Sequence, residues 1–434
     1  DSAPLFAGLE HDFNARWRLK LAASQQHIKI RHSLAYPTGA VDRNTLMGPS
    51  YGSTLYFSEP SSYRYRGVDA TLTGAFDAFG REHEVVFGGT WSENDNSGRY
   101  MLRVNAPPIT QSIFAFDPRS VLRPTDQAPV EPENFNISSS SGIFGVARLN
   151  LADSLKLIVG GRLTSSKSTT YRADSSKTST EEKDVFTPYG GLIYDFAPNW
   201  SAYASYSDIF RVQNTQYTAS GEPLKPVVGA NYEAGVKGEF YGGRLNTSFA
   251  VFRIEEQNRA QVDPNNLQPC RGSPAGGDCY IAEGKVHGQG FETEISGEIL
   301  PGWEAIAGYT YVKTKYLSDR DRTGASSGNQ GQPFRTTTPE HLFRLWTNYR
   351  LPGNLHRWTI GGGVNAQSSI YSQSGTVRID HGGYTLWNAR IGYRINEQWH
   401  LALNVNNVFD KRYYQRLGTI SSGNPYGEPR SWML

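Results

Sequence analysis

Residues 399–411 read W-H-L-A-L-N-V-N-N-V-F-D-K. Trp399, Leu401, Leu403 and Val405 fall on one parity, and His400, Ala402, Asn404 and Asn406 fall on the other. Such a period-2 pattern describes a strand with one apolar and one polar face. A half-buried sheet strand and a membrane-crossing strand look alike over nine or so residues, so the rest of the chain must decide between them.

The same two-faced pattern recurs. In Y-E-A-G-V-K-G-E-F, Tyr232, Ala234, Val236, Gly238 and Phe240 oppose Glu233, Gly235, Lys237 and Glu239. In F-E-T-E-I-S-G-E the carboxylates Glu292, Glu294 and Glu298 share a face. Over 155–164, Leu155, Leu157, Val159, Gly161 and Leu163 oppose Lys156, Gly160, Arg162 and Thr164. About 17 such segments can be counted, most of roughly 12 to 16 residues, which is too long for the strands of a sandwich. Charged rows such as Glu233, Lys237 and Glu239 need a wide interior that holds water or an inserted domain.

The connections give the pattern a direction. Tight ones at 197–199, 241–244, 301–302 and 396–398 alternate with long polar ones at about 31–62, 97–135, 260–285 and 318–339. Short turns on one rim and long loops on the other are the layout of an outer-membrane barrel. Trp17, Trp200, Trp303, Trp358 and Trp399 each follow a tight turn, where an interfacial aromatic girdle belongs. The fold expected is therefore all-β, a transmembrane antiparallel up-and-down β-barrel, in one domain over 1–434 that is incomplete at both ends.

Composition is compatible with this reading. The chain has 434 residues, 38% hydrophobic and 12% aromatic, with 45 glycines and 25 tyrosines, and a mean hydropathy of −0.53. No apolar run reaches the ~18 residues of a transmembrane helix, but a barrel strand crosses with about 10 alternating residues and keeps a polar lumen. A formal charge of +2 without basic stripes argues against a nucleic-acid partner. Cys270 and Cys279, in C-R-G-S-P-A-G-G-D-C, read as a short local disulfide of an oxidising compartment, with two unpaired loop thiols as the alternative.

Enzyme motifs are weak. G-A-S-S-G at 324–328 has the G-x-S-x-G form, yet it lies in a polar loop without the strand and helix of a nucleophile elbow. The nine histidines include no H-E-x-x-H, and most read as solvated strand or loop residues. Glu255 and Glu256 are adjacent and so point to opposite faces of a strand, unlike a catalytic carboxylate pair. No catalytic or metal-ligating residue is assigned, and no enzymatic activity is expected.

The rings near the long-loop rim carry the binding expectation. Trp91, Tyr100, Tyr217, Tyr316, Tyr371 and Tyr426, with Arg335 as a basic group, can line a pocket for a ligand that is part apolar and part polar. Tyr280 shares that position. An outer aromatic girdle or loop packing is the competing account of each ring, and Trp91 shares parity with Phe87, a lipid-facing position.

N-V-N-N-V-F-D-K-R-Y-Y followed by G-N-P-Y-G-E-P-R resembles the C-terminal words of TonB-dependent siderophore receptors of the ferric-hydroxamate and pyoverdine type. N-Y-E-A-G-V-K-G-E-F, G-Q-G-F-E-T-E-I-S-G-E-I-L-P-G-W and A-G-Y-T-Y-V-K-T carry the resemblance upstream, in the family's order. The resemblance implies a 22-stranded barrel, of which the 17 segments here would be the last 17. It also implies an N-terminal plug and TonB box, neither of which this sequence shows, so a truncated receptor is expected. The implied function is import of a ferric siderophore across the bacterial outer membrane, energised by TonB–ExbB–ExbD through the plug. Iron would enter only as the chelated ligand, with no resident cofactor, and the protein would be a lipid-embedded monomer. A passive porin, or a receptor of the same design for cobalamin, haem or a sugar, are the alternatives.

Overall fold

The computed structural model describes residues 2–30, 33–36, 44, 53–57, 61–98, 102–106, 117, 135–172, 175–266, 270, 277–320, 323–325, 328–419 and 424–434. Strands dominate. The chain divides into two compact units, residues 1–148 with 160–188, and residues 149–159 with 189–434.

The first unit is a meander. β1 (Ser2–Asn14), β2 (Trp17–Ile30), β5 (Ser61–Ala78), β6 (Arg81–Gly98) and β8 (Phe135–Ala152) pair antiparallel in that order. Three short strands, β3 (Ser33–Tyr36), β4 (Ser53–Phe57) and β7 (Leu102–Ala106), form a separate sheet from within two of the long connections.

β9 (Leu155–Tyr171) and β10 (Lys177–Ala197) follow, and in the second unit the ladder runs through consecutive antiparallel pairs. Its strands are β11 (Trp200–Tyr217), β12 (Pro223–Phe240), β13 (Leu245–Val262), β14 (Tyr280–Leu300), β15 (Trp303–Ser318), β16 (His341–Arg350) and β17 (Trp358–Gln367). A hairpin of β18 (Ile370–Ser374) and β19 (Val377–His381) stands outside the sheet, which resumes with β20 (Tyr384–Arg394), β21 (His400–Asn406) and β22 (Ser431–Met433). The main sheet holds 17 strands, whose ladders pair backbone donors and acceptors between adjacent strands, the arrangement a membrane interior favours.

The faces divide as the alternation predicts. Leu401, Leu403 and Val405 lie opposite Tyr393, Ile391 and Ala389, whereas His400 and Asn404 lie opposite Arg394 and Arg390. The apolar set is the exposed one: Leu401 is 48% accessible, Ile391 43% and Val251 47%. On the polar face, the Tyr203 hydroxyl donates to Glu233 Oε1 at 2.5 Å and Lys237 Nζ sits 5.0 Å from the Tyr203 ring centre. A charged row therefore persists because its members satisfy one another. Glu255 and Glu256 do part company, pairing with Arg253 on one side and with Arg211 and Arg259 on the other.

At the tight turns the tryptophans are anchored. Trp303 Nε1 donates to Thr347 Oγ1 at 2.7 Å, Trp358 packs on Tyr393 with ring centres 4.5 Å apart, and Trp200 meets Phe240 edge-on at 5.4 Å. The Asn396 side chain accepts from the Gln398 and Trp399 backbone N–H groups and so sets the turn before β21.

Two expectations change, and one histidine is an exception to the solvated majority. Strands run longer than the alternation shows: β10 and β14 have 21 residues each, because bulges such as that between Glu256 and Arg259 shift the parity and hide the continuation. The strand after β21 begins at Ser431, not near Tyr426, which instead bridges Tyr414. His83 is buried, its Nε2 3.0 Å from the Ala78 carbonyl oxygen, and is no solvated histidine.

Cys270 and Cys279 are joined as a disulfide across nine positions, and both are buried. The Cys270 N–H donates to Gly277 O, Asp263 N–H donates to Cys279 O, and the bridge lies against the Thr218 carbonyl. A loop this short costs the unlinked chain about 2.5 kcal/mol of closure entropy. C270S/C279S protein is thus expected to be cut by protease within 263–279 far faster than the oxidised wild type, with the sheet intact; equal cleavage rates would refute it.

Candidate functional site

At the long-connection end of the second unit, polar-face residues of three strands converge with a loop. Arg211 of β11, Glu256 and Arg259 of β13 and Tyr316 of β15 share that face. Glu256 Oε2 receives Arg259 Nη1 at 2.5 Å and Arg211 Nη2 at 3.4 Å. The segment 331–340 runs back along β15: Tyr316 N–H donates to Gln332 O, Arg335 N–H to Thr314 Oγ1 and Val312 N–H to Glu340 O. This places Phe334 between cations and a ring. Arg259 lies 5.5 Å and Arg335 5.3 Å from its ring centre, and Tyr316 meets it edge-on at 5.9 Å.

The neighbouring elements extend the aromatic surface. Tyr371 N–H of β18 donates to Thr336 O, next to Arg335, and the Tyr371 ring carries Arg378 at 3.7 Å, itself held by Asp380. Tyr414 and Tyr426 stack at 4.7 Å, and Tyr384 packs on Tyr413 at 4.6 Å. Ser372 Oγ donates to Gly418 O, tying β18 to the 411–419 segment. Rings present apolar faces and hydroxyl edges while guanidinium groups present fixed donors, so the surface suits a large, partly anionic, partly aromatic ligand.

His381 is an imidazole embedded in this surface. Its Nε2 accepts the Tyr414 backbone N–H at 3.2 Å, with the Tyr384 and Tyr414 rings each 5.4 Å away. Burial, and then the Lys411 charge, hold its pKa below the ordinary 6.5. A depressed imidazole contributes packing stability that is complete above pH 6.5 and lost as pH falls through the lowered value. Hydrogen exchange at the Tyr414 amide, corrected for its intrinsic rate, is expected to accelerate between pH 7.5 and pH 5, and not to do so in H381Q; a pH-independent wild type would contradict this.

Of the residues singled out from sequence, Tyr316, Arg335, Tyr371 and Tyr426 fall within this region. Tyr100 lies outside the described residues. Tyr217 is 8% accessible and turns its hydroxyl toward Asn214 O, so it presents no face to a ligand. Trp91 does not join the group either. It stands opposite Val68 and Ser141 on the apolar face, with Phe87 and Ile143 exposed beside it, because strand parity commits it to that side. Phe334 and Arg259 went unread. Phe334 is the sole aromatic between 319 and 340, next to Arg335, and that isolation was the available signal; Arg259 follows a bulge and has no sequence mark. A second hollow, of about 550 Å³ at the tight-turn end, contains Ile306 and Trp346 beside Glu298 and Glu304 on the polar face.

Residues 1–408 match the family described as TonB dependent receptor-like, beta-barrel. The chain belongs to the TonB-dependent receptor β-barrel family. It is 39% identical to the ferric-pyoverdine M114 receptor of Pseudomonas sp. strain M114, over 100% of this chain and 52% of the relative. It is 33% identical to the ferripyoverdine receptor of Pseudomonas aeruginosa, over 99% of this chain and 51% of that protein. The structure of the P. aeruginosa pyoverdine outer membrane receptor bound to pyoverdine superposes with a TM-score of 0.83 at 30% identity, covering 99% of this chain and 60% of the other. The chain spans about half the length of the curated relatives it matches. Members of this family are outer-membrane barrels, so the apolar face of each unit meets lipid and the polar face the interior.

Proposed function

We propose that the protein to which this barrel segment belongs imports a ferric siderophore of the pyoverdine class, energised through TonB. The observation that carries the reading is the Phe334 ring held between Arg259 and Arg335 beside Tyr316, on the polar face at the long-connection end. The names of the similar receptors supply the cargo class. Iron arrives enclosed in its chelator, so the barrel need offer no metal ligand. Rings cover the apolar part of the chelate, and guanidinium groups with fixed donors hold its carboxylate or hydroxamate oxygens. Energy coupling is assigned to a plug and its TonB–ExbB–ExbD contacts, carried by the part of the receptor beyond this segment.

Titration of the full-length receptor with ferric pyoverdines and other ferric hydroxamates tests the reading. Submicromolar binding of at least one is expected of an enclosed, preformed site; no binding across the panel, or steady large conductance in planar bilayers, would defeat it in favour of another ligand or a porin.

A further inference from the structure

Glu256 and Arg259 stand three positions apart on β13, a spacing that plain alternation would send to opposite faces. A bulge between them, which includes Asn258 at φ +60°, brings both to the polar face. The bulge is held from β11. Gln213, 8% accessible, donates from Nε2 to Asn258 O at 2.6 Å and accepts the Ala260 N–H on Oε1 at 3.0 Å. Asn258 Nδ2 in turn donates to Pro226 O on β12. Amide hydrogen bonds on both sides of one irregularity fix the Glu256–Arg259 pair in place.

The register sets that carboxylate apart. Its own row holds Ile209, Gly229, Val286 and Tyr316, and the next row toward the tight turns is uncharged from Ser207 to Thr314. Among the described residues, the ion pairs of Glu256 are with Arg211 and Arg259, and its side chain is 20% accessible against 54% for Arg211. A ligand oxygen that reaches either guanidinium therefore enters the field of Glu256. A neutral carbonyl oxygen gains a hydrogen bond there without repulsion, whereas a carboxylate is repelled at short range. Arg335 lies on the same Phe334 ring but belongs to neither of those pairs.

We propose that Glu256 sets the charge selectivity of the site: with it in place, Arg211 and Arg259 select neutral acceptor oxygens such as amide carbonyls, and a ligand carboxylate is directed to Arg335. The inference rests on the siderophore reading and deepens it, by assigning a class of ligand oxygen to each cation. One charge a few Å away in a wet interior changes affinity about tenfold.

The probes are ferric pyoverdines, each as isolated and with its free carboxylates converted to primary amides, titrated against the full-length receptor at low salt. The quantity read is the ratio of carboxylate-form to amide-form affinity, in which any general loss of order at the site cancels. E256Q is expected to raise that ratio about tenfold and to lose the gain at about 1 M salt, where charges are screened beyond about 3 Å. R335Q should lower the ratio. E255Q, which removes the adjacent carboxylate paired with Arg253 on the outward face, should leave it at the wild-type value. An E256Q ratio equal to wild type, or a gain that persists at high salt, would overturn the proposal while leaving siderophore binding in place. Should E256Q not fold, judged by the heat-dependent shift in gel mobility, an unchanged ratio in R335Q overturns it. Binding of no ferric pyoverdine by wild type removes the siderophore reading itself, and this inference with it.

Discussion

On the proposed siderophore function, full-length receptor carrying Phe334→Ala is expected to bind the ferric siderophore 10- to 100-fold more weakly, with folding and membrane insertion unchanged. The ring is half-buried and belongs to a loop rather than to the ladder, so its removal costs the sheet little. It is nonetheless the surface on which Arg259 and Arg335 are arranged. Without it both guanidinium groups gain rotamer freedom, and an aromatic contact is lost as well; the two together amount to roughly 1.5 to 3 kcal/mol. R259A should show a loss of similar size and leave Arg211 as the remaining partner of Glu256. F334Y should retain most of the affinity, since a ring persists. Fluorescence titration of purified receptors measures all three, and wild-type affinity in F334A would remove the site from its proposed place.

The second large effect is structural, and it belongs to the stretch that decided the fold. Asn407 has φ +49°, is 4% accessible and has both ends of its side chain engaged. Nδ2 donates to Lys411 O and Glu428 O, and Oδ1 accepts the Lys411 N–H at 2.8 Å. Its own N–H donates to Asn388 Oδ1 on β20. The residue thus turns the chain out of β21 and pins both ends of the return that leads to β22. Asn407→Ala takes the side-chain partner from three backbone groups and leaves a non-glycine residue in a left-handed conformation that asparagine tolerates best. A loss of about 3 to 5 kcal/mol is expected. It should appear as a lower thermal midpoint and as protease sensitivity confined at first to 407–430. Asn407→Gly, which relieves the backbone strain and not the hydrogen bonds, should recover only part. An N407A protein as stable as wild type would show that the return is held from elsewhere.

How much of the site was legible follows from what each residue depends on. Tyr316, Arg335, Tyr371 and Tyr426 could be named because polar loops between long strands place any ring near the rim. Trp91 was misplaced toward a ligand although its parity with Phe87 was visible; the rule of alternation outranked proximity to the rim. Tyr217, expected at the rim, is buried with its hydroxyl turned to Asn214 O, a fold of the local chain that alternation does not reveal. Arg259 and Phe334 come together only through a register shift in β13 and a loop that runs back along β15, neither of which period-2 reasoning detects.

The sequence by itself determined the antiparallel meander, the division of each strand into a lipid face and a polar face, the anchored tryptophans and the family. These depend on neighbours two residues apart or on turns of a few residues, and local chemistry decides them. Tertiary structure alone decided where strands end, which loop ring meets which cation, and what the adjacent asparagines Asn406 and Asn407 of N-V-N-N-V-F-D-K do. Asn406 continues the strand, whereas Asn407 closes a return whose other end is 21 residues away. That difference rests on hydrogen bonds between distant segments, and alternation along one strand carries no information about them.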